Sequence, residues 1–219
     1  MGSPADKALA DKREPRSSKP RRGRPRSESK EQEILKAAAE LMAEKGVGGL
    51  SIEEVALRAK VGKTTIYRRW SSRGALALDA FLAVFEGQQE LPDTGTFAGD
   101  LREALGAWVR AVTGANAGAM LVGLIAEMQQ DRNLAAAWLD RVVAPLRAQY
   151  SIMLDHGVSR GEIPAETDAG IVLDLVFGAC YYRLLLQGQH GQRPLNEQFV
   201  NQVVRLIATG VGARAEFSG

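Results

Sequence analysis

With 219 residues, 45% of them hydrophobic and 25% charged, the chain has an ordinary folding composition and room for one sizeable core or for a small unit joined to a larger one. It contains no uninterrupted apolar run of the roughly 18 residues that a membrane span needs, and the opening Met1-Gly2-Ser3-Pro4 does not read as a secretory signal, so no membrane partner and a cytoplasmic location are expected. The single cysteine, Cys180, excludes an internal disulfide and, in the setting Val176-Phe177-Gly178-Ala179, reads as a small core residue.

The net charge of +2 hides a division. Residues 1–74 hold 18 Lys and Arg against 10 Asp and Glu, whereas residues 75–219 hold 10 against 16, and Lys63 is the last lysine. A basic first third on an acidic remainder is the footprint of a chain that meets a polyanion with one end.

Residues 1–28 are rich in Lys, Arg, Pro, Ser and Gly without apolar periodicity, and are expected to form a disordered basic arm. Within it, Lys19 to Arg26 resembles the Arg-Gly-Arg-Pro core of AT-hook peptides. Arg22 and Arg24 flank a glycine, as suits a narrow A·T minor groove, and prolines favour an extended strand. A tail adding only non-specific phosphate attraction is the equal alternative.

Helix one is expected from Ser29, which forms a capping box with Gln32, through Ile34, Leu35, Ala38, Leu41 and Met42 to a stop at Gly46. A second capping box, Ser51 with Glu54, opens a short helix to about Ala59. A third runs from Lys63 to Trp70, and a fourth starts near Ser72 and carries Leu76, Leu78, Phe81, Leu82 and Phe85. After a linker at Gly87–Gly95, helices are predicted over 97–113, 116–130, 132–158 with a break at Pro145, 167–187 and 195–211, with Asp131 and Thr167 as N-caps. The fold class is therefore all-α.

Between Ser51 and Trp70 the apolar spacing is that of two short helices crossing steeply. Val55 and Ala56 face inward, Val61 plugs the turn, and Ile66 and Trp70 anchor the second helix. The opposite face of that helix presents Lys63, Thr64, Thr65, Tyr67 and Arg68, and no acidic residue occurs from Lys63 to Arg73. Those side chains suit phosphates and the base edges of a major groove.

Leu50-Ser51-Ile52-Glu53-Glu54-Val55-Ala56, then Val61 to Trp70, then Ser71-Ser72-Arg73-Gly74-Ala75-Leu76 resembles the DNA-binding signature of the TetR family. The resemblance implies a DNA-binding domain over residues 29–77 and a ligand-binding and dimerisation domain over 78–219. It implies that Thr65 and Tyr67 hold phosphates, that Lys63, Thr64 and Arg68 reach bases, and that Arg73 clamps another phosphate. The family usually has glycine where this chain has Lys60, so a left-handed turn residue is expected there. Ala179-Cys180-Tyr181-Tyr182-Arg183-Leu184-Leu185 resembles an actinobacterial-type TetR C-terminal domain.

One helix-turn-helix makes few base contacts, so a homodimer on a palindromic operator is expected. The helix carrying Leu175, Gly178, Ala179 and Tyr182 is apolar nearly all round, and with Val200, Val203, Val204 and Ile207 of the last helix it offers a four-helix-bundle interface. Trp108, Met120, Leu124, Met128, Trp138, Tyr150, Met153 and Tyr181 are the candidate lining of an effector pocket, which the resemblance places between the middle helices and helix four. Taken singly, each is also an ordinary core residue.

The functional expectation is a repressor released from its operator by a small apolar effector. The alternative is an architectural or activating DNA-binding protein without a pocket. Catalysis is not expected. The chain has only His156 and His190, one cysteine, no metal-ligand spacing, no phosphate-binding glycine loop and no nucleophile arrangement, and no cofactor is implied.

Overall fold

The computed structural model describes residues 24–84, 91–114, 117–187 and 194–212, and among them there is no strand. Arg22 and the rest of the basic arm up to residue 23 lie outside these residues, as do Phe85 and His190.

Helix α1 spans Arg24–Lys45, five residues more at its start than Ser29 predicts. Pro25 stands in the first turn, where a missing N–H costs nothing, and Glu28, Lys30, Glu31 and Glu33 are good helix formers, so nothing stops the helix at Ser29. Arg24 therefore begins a helix instead of ending an extended arm. Gly46 ends α1 as expected: its φ is +72°, and its N–H reaches the Met42 carbonyl at 2.9 Å.

Helix α2, Ile52–Arg58, is capped by Ser51, whose Oγ accepts the Glu54 N–H at 3.4 Å. The other half of the predicted box does not form, because the Glu54 carboxylate takes Lys45 at 2.6 Å, and Arg58 binds Glu44 through two hydrogen bonds of 2.6 and 2.7 Å. Both links tie α2 to the end of α1. The Arg58 hydrogen bond holds the Glu44 carboxyl below its ordinary range.

The turn passes through Lys60, whose φ is +52°. A β-carbon in that region costs about 1–2 kcal/mol, partly offset in glycine by its larger unfolded-state entropy. Lys60→Gly should therefore raise the free energy of unfolding by about 0.5–1 kcal/mol, measured by urea titration, with DNA affinity unchanged.

Helix α3 covers Lys63–Tyr67, and a tight last turn over Arg68 to Trp70 replaces the longer helix expected. Helix α4, Arg73–Val84, leads to α5, Phe97–Thr113, capped by Thr96. The start of α5 is pinned by Asp100, fully buried, which accepts the Thr94 N–H at 2.6 Å, its hydroxyl at 2.8 Å and Arg160 at 3.3 Å. Next come α6, Ala117–Met128, and α7, Arg132–Trp138, the latter capped by Asp131 as expected.

The break predicted at Pro145 is a wider π-turn over Leu139–Val143, followed by α8, Ala144–Ser159. The proline ring crowds the carbonyl four residues back, that of Arg141, and the helix widens there instead of breaking. Helix α9 is Ala169–Tyr182, capped by Asp168 where Thr167 was expected, and it continues into a π-turn at Arg183–Gln187. Helix α10 is Glu197–Gly212.

Two apolar cores result. One joins α1 to α4 with α6 and α7 around Ile34, Leu41, Ile66, Leu78, Met120 and Leu124. The other joins α5, α8, α9 and α10 around Leu101, Tyr150, Phe177, Cys180 and Val204. The first core does not stop at residue 77. Helix α6 packs against α1 and α4, and Gly123 lets Val47 come so close that an added β-carbon would meet its side chain at 2.7 Å.

Candidate nucleic-acid interface and ligand cavity

Ile66 is fully buried and Trp70 nearly so, which fixes the rotation of α3 and turns its other face outward. Lys63, Thr64, Tyr67 and Arg68 are exposed, with Tyr67 at 54%, and Thr65 is half-buried beside them. Val61 packs against the first core at the turn, as its spacing predicts.

Lys63 is not idle: its Nζ lies 2.7 Å from Glu53 Oε1, and this hydrogen bond holds the Glu53 carboxyl below its ordinary range. Arg68 and Tyr67 have no hydrogen-bond or ionic partner among the described residues, and the face therefore carries one uncommitted guanidinium and one uncommitted phenol.

Arg73 departs from its expected role as a phosphate clamp. Its guanidinium donates to the Gly48 carbonyl and to Glu127 of α6, both at 2.9 Å. A carboxylate 54 positions away in sequence thus holds the side chain that the resemblance assigns to DNA.

A cavity of about 390 Å³ opens between α4, α5, the π-turn, α8 and α9. Five of the eight expected residues line it: Trp108, Trp138, Tyr150, Met153 and Tyr181. Met120, Leu124 and Met128 do not. Met120 and Leu124 are buried in the first core, and Met128 packs beside them, because α6 turns that face toward α1 and α4.

The rings of Trp108, Tyr150, Phe177 and Tyr181 form a connected cluster with centroid separations of 5.4 to 6.1 Å, mostly edge to face. Burial pushes the Tyr181 hydroxyl up to about 12, and it drives the Tyr150 hydroxyl higher still. Sequence reasoning missed Arg110, Arg141, Glu103 and Gln149, the polar residues of the lining. Only the arginines' place one helical turn or a few residues from Trp108 and Trp138 could have suggested two of them.

Of the expected dimer residues, Leu175, Gly178 and Tyr182 lie on an exposed stripe of α9 with Ile171, while Ala179 is half-buried. On α10, Val200 and Val204 are buried in their own protomer's core, Val203 is nearly so and Ile207 is half-buried. These four are corrected: the apolar stripe of α10 is already used to pack on α5 and α9, and its exposed apolar residue is Leu206. The segment Ala169–Leu186 is long and apolar enough to cross a membrane, yet one side of it packs in the second core and Asp174 interrupts the other.

Cys180 is buried, as expected, and burial pushes its thiol up to about 12. His156 is exposed, and no cluster of metal-binding side chains occurs among the described residues.

Residues 34–80 match the model of bacterial regulatory proteins of the tetR family, and residues 91–207 match that of the tetracyclin repressor-like C-terminal domain. The chain is 34% identical over 193 residues to the uncharacterized HTH-type transcriptional regulator YdeS of Bacillus subtilis (strain 168), covering 88% of this chain and 95% of YdeS. It is 31% identical to the DNA-binding transcriptional repressor TetR of Mycobacteroides abscessus, over 86% of this chain and 98% of that protein. A crystal structure of the TetR family transcription regulator SCO0332 superposes with a TM-score of 0.68 at 34% identity, covering 84% of this chain and 98% of that one. An exposed donor face on α3, a second helical unit behind it and matches to both halves lead to one assignment: the chain belongs to the TetR family of helix-turn-helix transcriptional regulators, DNA-binding proteins rather than enzymes.

Proposed function

We propose that this regulator is a ligand-responsive repressor, acting in the cytoplasm as a homodimer that inserts α3 of each protomer into successive major grooves of a palindromic operator. A small, largely apolar effector enters the cavity and favours a conformation in which the two recognition helices no longer match the grooves. The observation that carries the reading is that α4 is shared: it walls the cavity through Phe81 and Leu82, and it packs against the helix-turn-helix through Leu76 and Leu78. A ligand touching that helix acts on the DNA-binding unit without an intermediary, and its leverage is its differential affinity for the two states. The cavity also favours this reading over an architectural role.

Selection of bound sites from randomised duplex DNA tests it. The expected product is a two-fold symmetric sequence with half-site centres about 34 Å apart, or a longer whole number of helical turns. Enrichment of an asymmetric site, or of none, would remove the dimeric reading.

A further inference from the structure

The cavity is apolar along its walls but carries two arginines, Arg110 on α5 and Arg141 in the π-turn. Arg110 has no carboxylate partner among the described residues. Its guanidinium folds back over Gly106, where an added β-carbon would lie 3.2 Å from Nη1, so the missing side chain at Gly106 gives it space beside the cavity. Glu103, the acidic residue of the lining, stands two turns away on α5, about 10 Å along the axis.

Arg141 is held by Asp79 of α4, through a 2.5 Å contact from Nη1 to Oδ1. The second oxygen of the same carboxylate accepts the indole N–H of Trp70 at 2.6 Å. Trp70 is the buried anchor that ends the recognition segment. One carboxylate thus has a cavity-lining guanidinium on one side and the foot of the DNA-reading element on the other.

On the reading that the cavity binds an effector, we infer that the effector is an aromatic anion whose charged group competes with Asp79 for Arg141. The ring cluster takes the flat body by edge-to-face contact, Arg110 supplies the uncommitted positive charge, and Arg141 turns from Asp79 to the ligand. Asp79 then loses its counter-charge, and the Trp70 hydrogen bond that it accepts is re-set. The pull on α3 follows from this exchange, with no other contact to the DNA-binding unit required.

The test uses two dyes of one skeleton on the full chain, the sulfonate 8-anilinonaphthalene-1-sulfonate and the neutral N-phenyl-1-naphthylamine, titrated by fluorescence. Arg141→Gln should weaken the sulfonate by about tenfold, the usual size of a lost hydrogen bond to a charged group. Asp79→Asn, which keeps an oxygen for Trp70 but removes the competing charge, should tighten it several-fold. The neutral dye should bind all three proteins alike, and Ala107→Trp, which fills the cavity, should remove both signals. The sulfonate at saturation should also weaken binding to the selected duplex, and the neutral dye should not.

Sulfonate affinities equal in wild type, Arg141→Gln and Asp79→Asn would overturn the inference while leaving an effector cavity in place. So would sulfonate binding through Arg141 without loss of DNA affinity. If neither dye responds to Ala107→Trp, the cavity does not bind such ligands, and the effector reading falls with it.

Discussion

Leu175→Asp combined with Leu186→Asp should turn the chain into a monomer and weaken its hold on the selected operator by about a thousandfold. Ile171, Leu175, Gly178 and Tyr182 recur at helical spacing on the outer side of α9, and Leu185 and Leu186 extend the stripe. Ile171, Leu175, Tyr182 and Leu186 are 56% to 63% exposed in the protomer. Covering a leucine of this kind contributes about 1.5–3 kcal/mol, and two aspartates in each protomer replace that gain with the cost of desolvating charge. Once monomeric, the protein loses the second half-site, and linkage of two such sites is worth about 10²–10⁴ in affinity. Sedimentation velocity reads the mass and a duplex titration reads the affinity. Because both leucines are exposed in the protomer, its melting should change little at a concentration where the wild type is also monomeric. A dimer persisting in the double variant would move the interface elsewhere.

Arg68→Ala should cost about 2–6 kcal/mol of operator binding, since a base contact worth about 1–3 kcal/mol is lost at both half-sites. The side chain is exposed and without a partner among the described residues, so folding should be unaffected. The slope of affinity against salt separates two roles. A base contact leaves the slope unchanged and relaxes the sequence preference at one position per half-site, whereas a phosphate contact lowers the slope by about one per protomer and leaves the preference intact. Wild-type affinity in Arg68→Ala would place the reading face elsewhere on α3.

The helical fold was largely readable from the sequence, because its signals are local. Ser51, Thr96 and Asp131 sit where caps belong, Gly46 ends α1, and Ile66 with Trp70 one turn on states which side of α3 is buried. What was misread depends on distant residues. The stripe of Val200, Val203, Val204 and Ile207 marks the apolar side of α10 but not what covers it, and its own core claims that side first. Met120 and Leu124 carry the same chemistry as Met153, and only the direction in which α6 is turned sends them to one core and Met153 to the cavity. Arg73 looked like a phosphate ligand because a cation at a helix start beside a recognition helix usually is one. Glu127 makes it an internal strut, and no local pattern announces a partner so far along the chain. The π-turn that presents Arg141 was visible only as its cause, Pro145.

The carboxylates of Glu53 and Glu127, already bound to Lys63 and Arg73, make operator binding partly an ion-exchange reaction. Each phosphate that captures one of these side chains leaves a carboxylate bare, and that carboxylate gathers a sodium ion from solution while the DNA sheds one. The two movements cancel. The protein should therefore grip DNA with a gentler ionic-strength dependence than its count of basic residues implies, and keep discriminating between sites at salt levels where a bare cationic surface would let go.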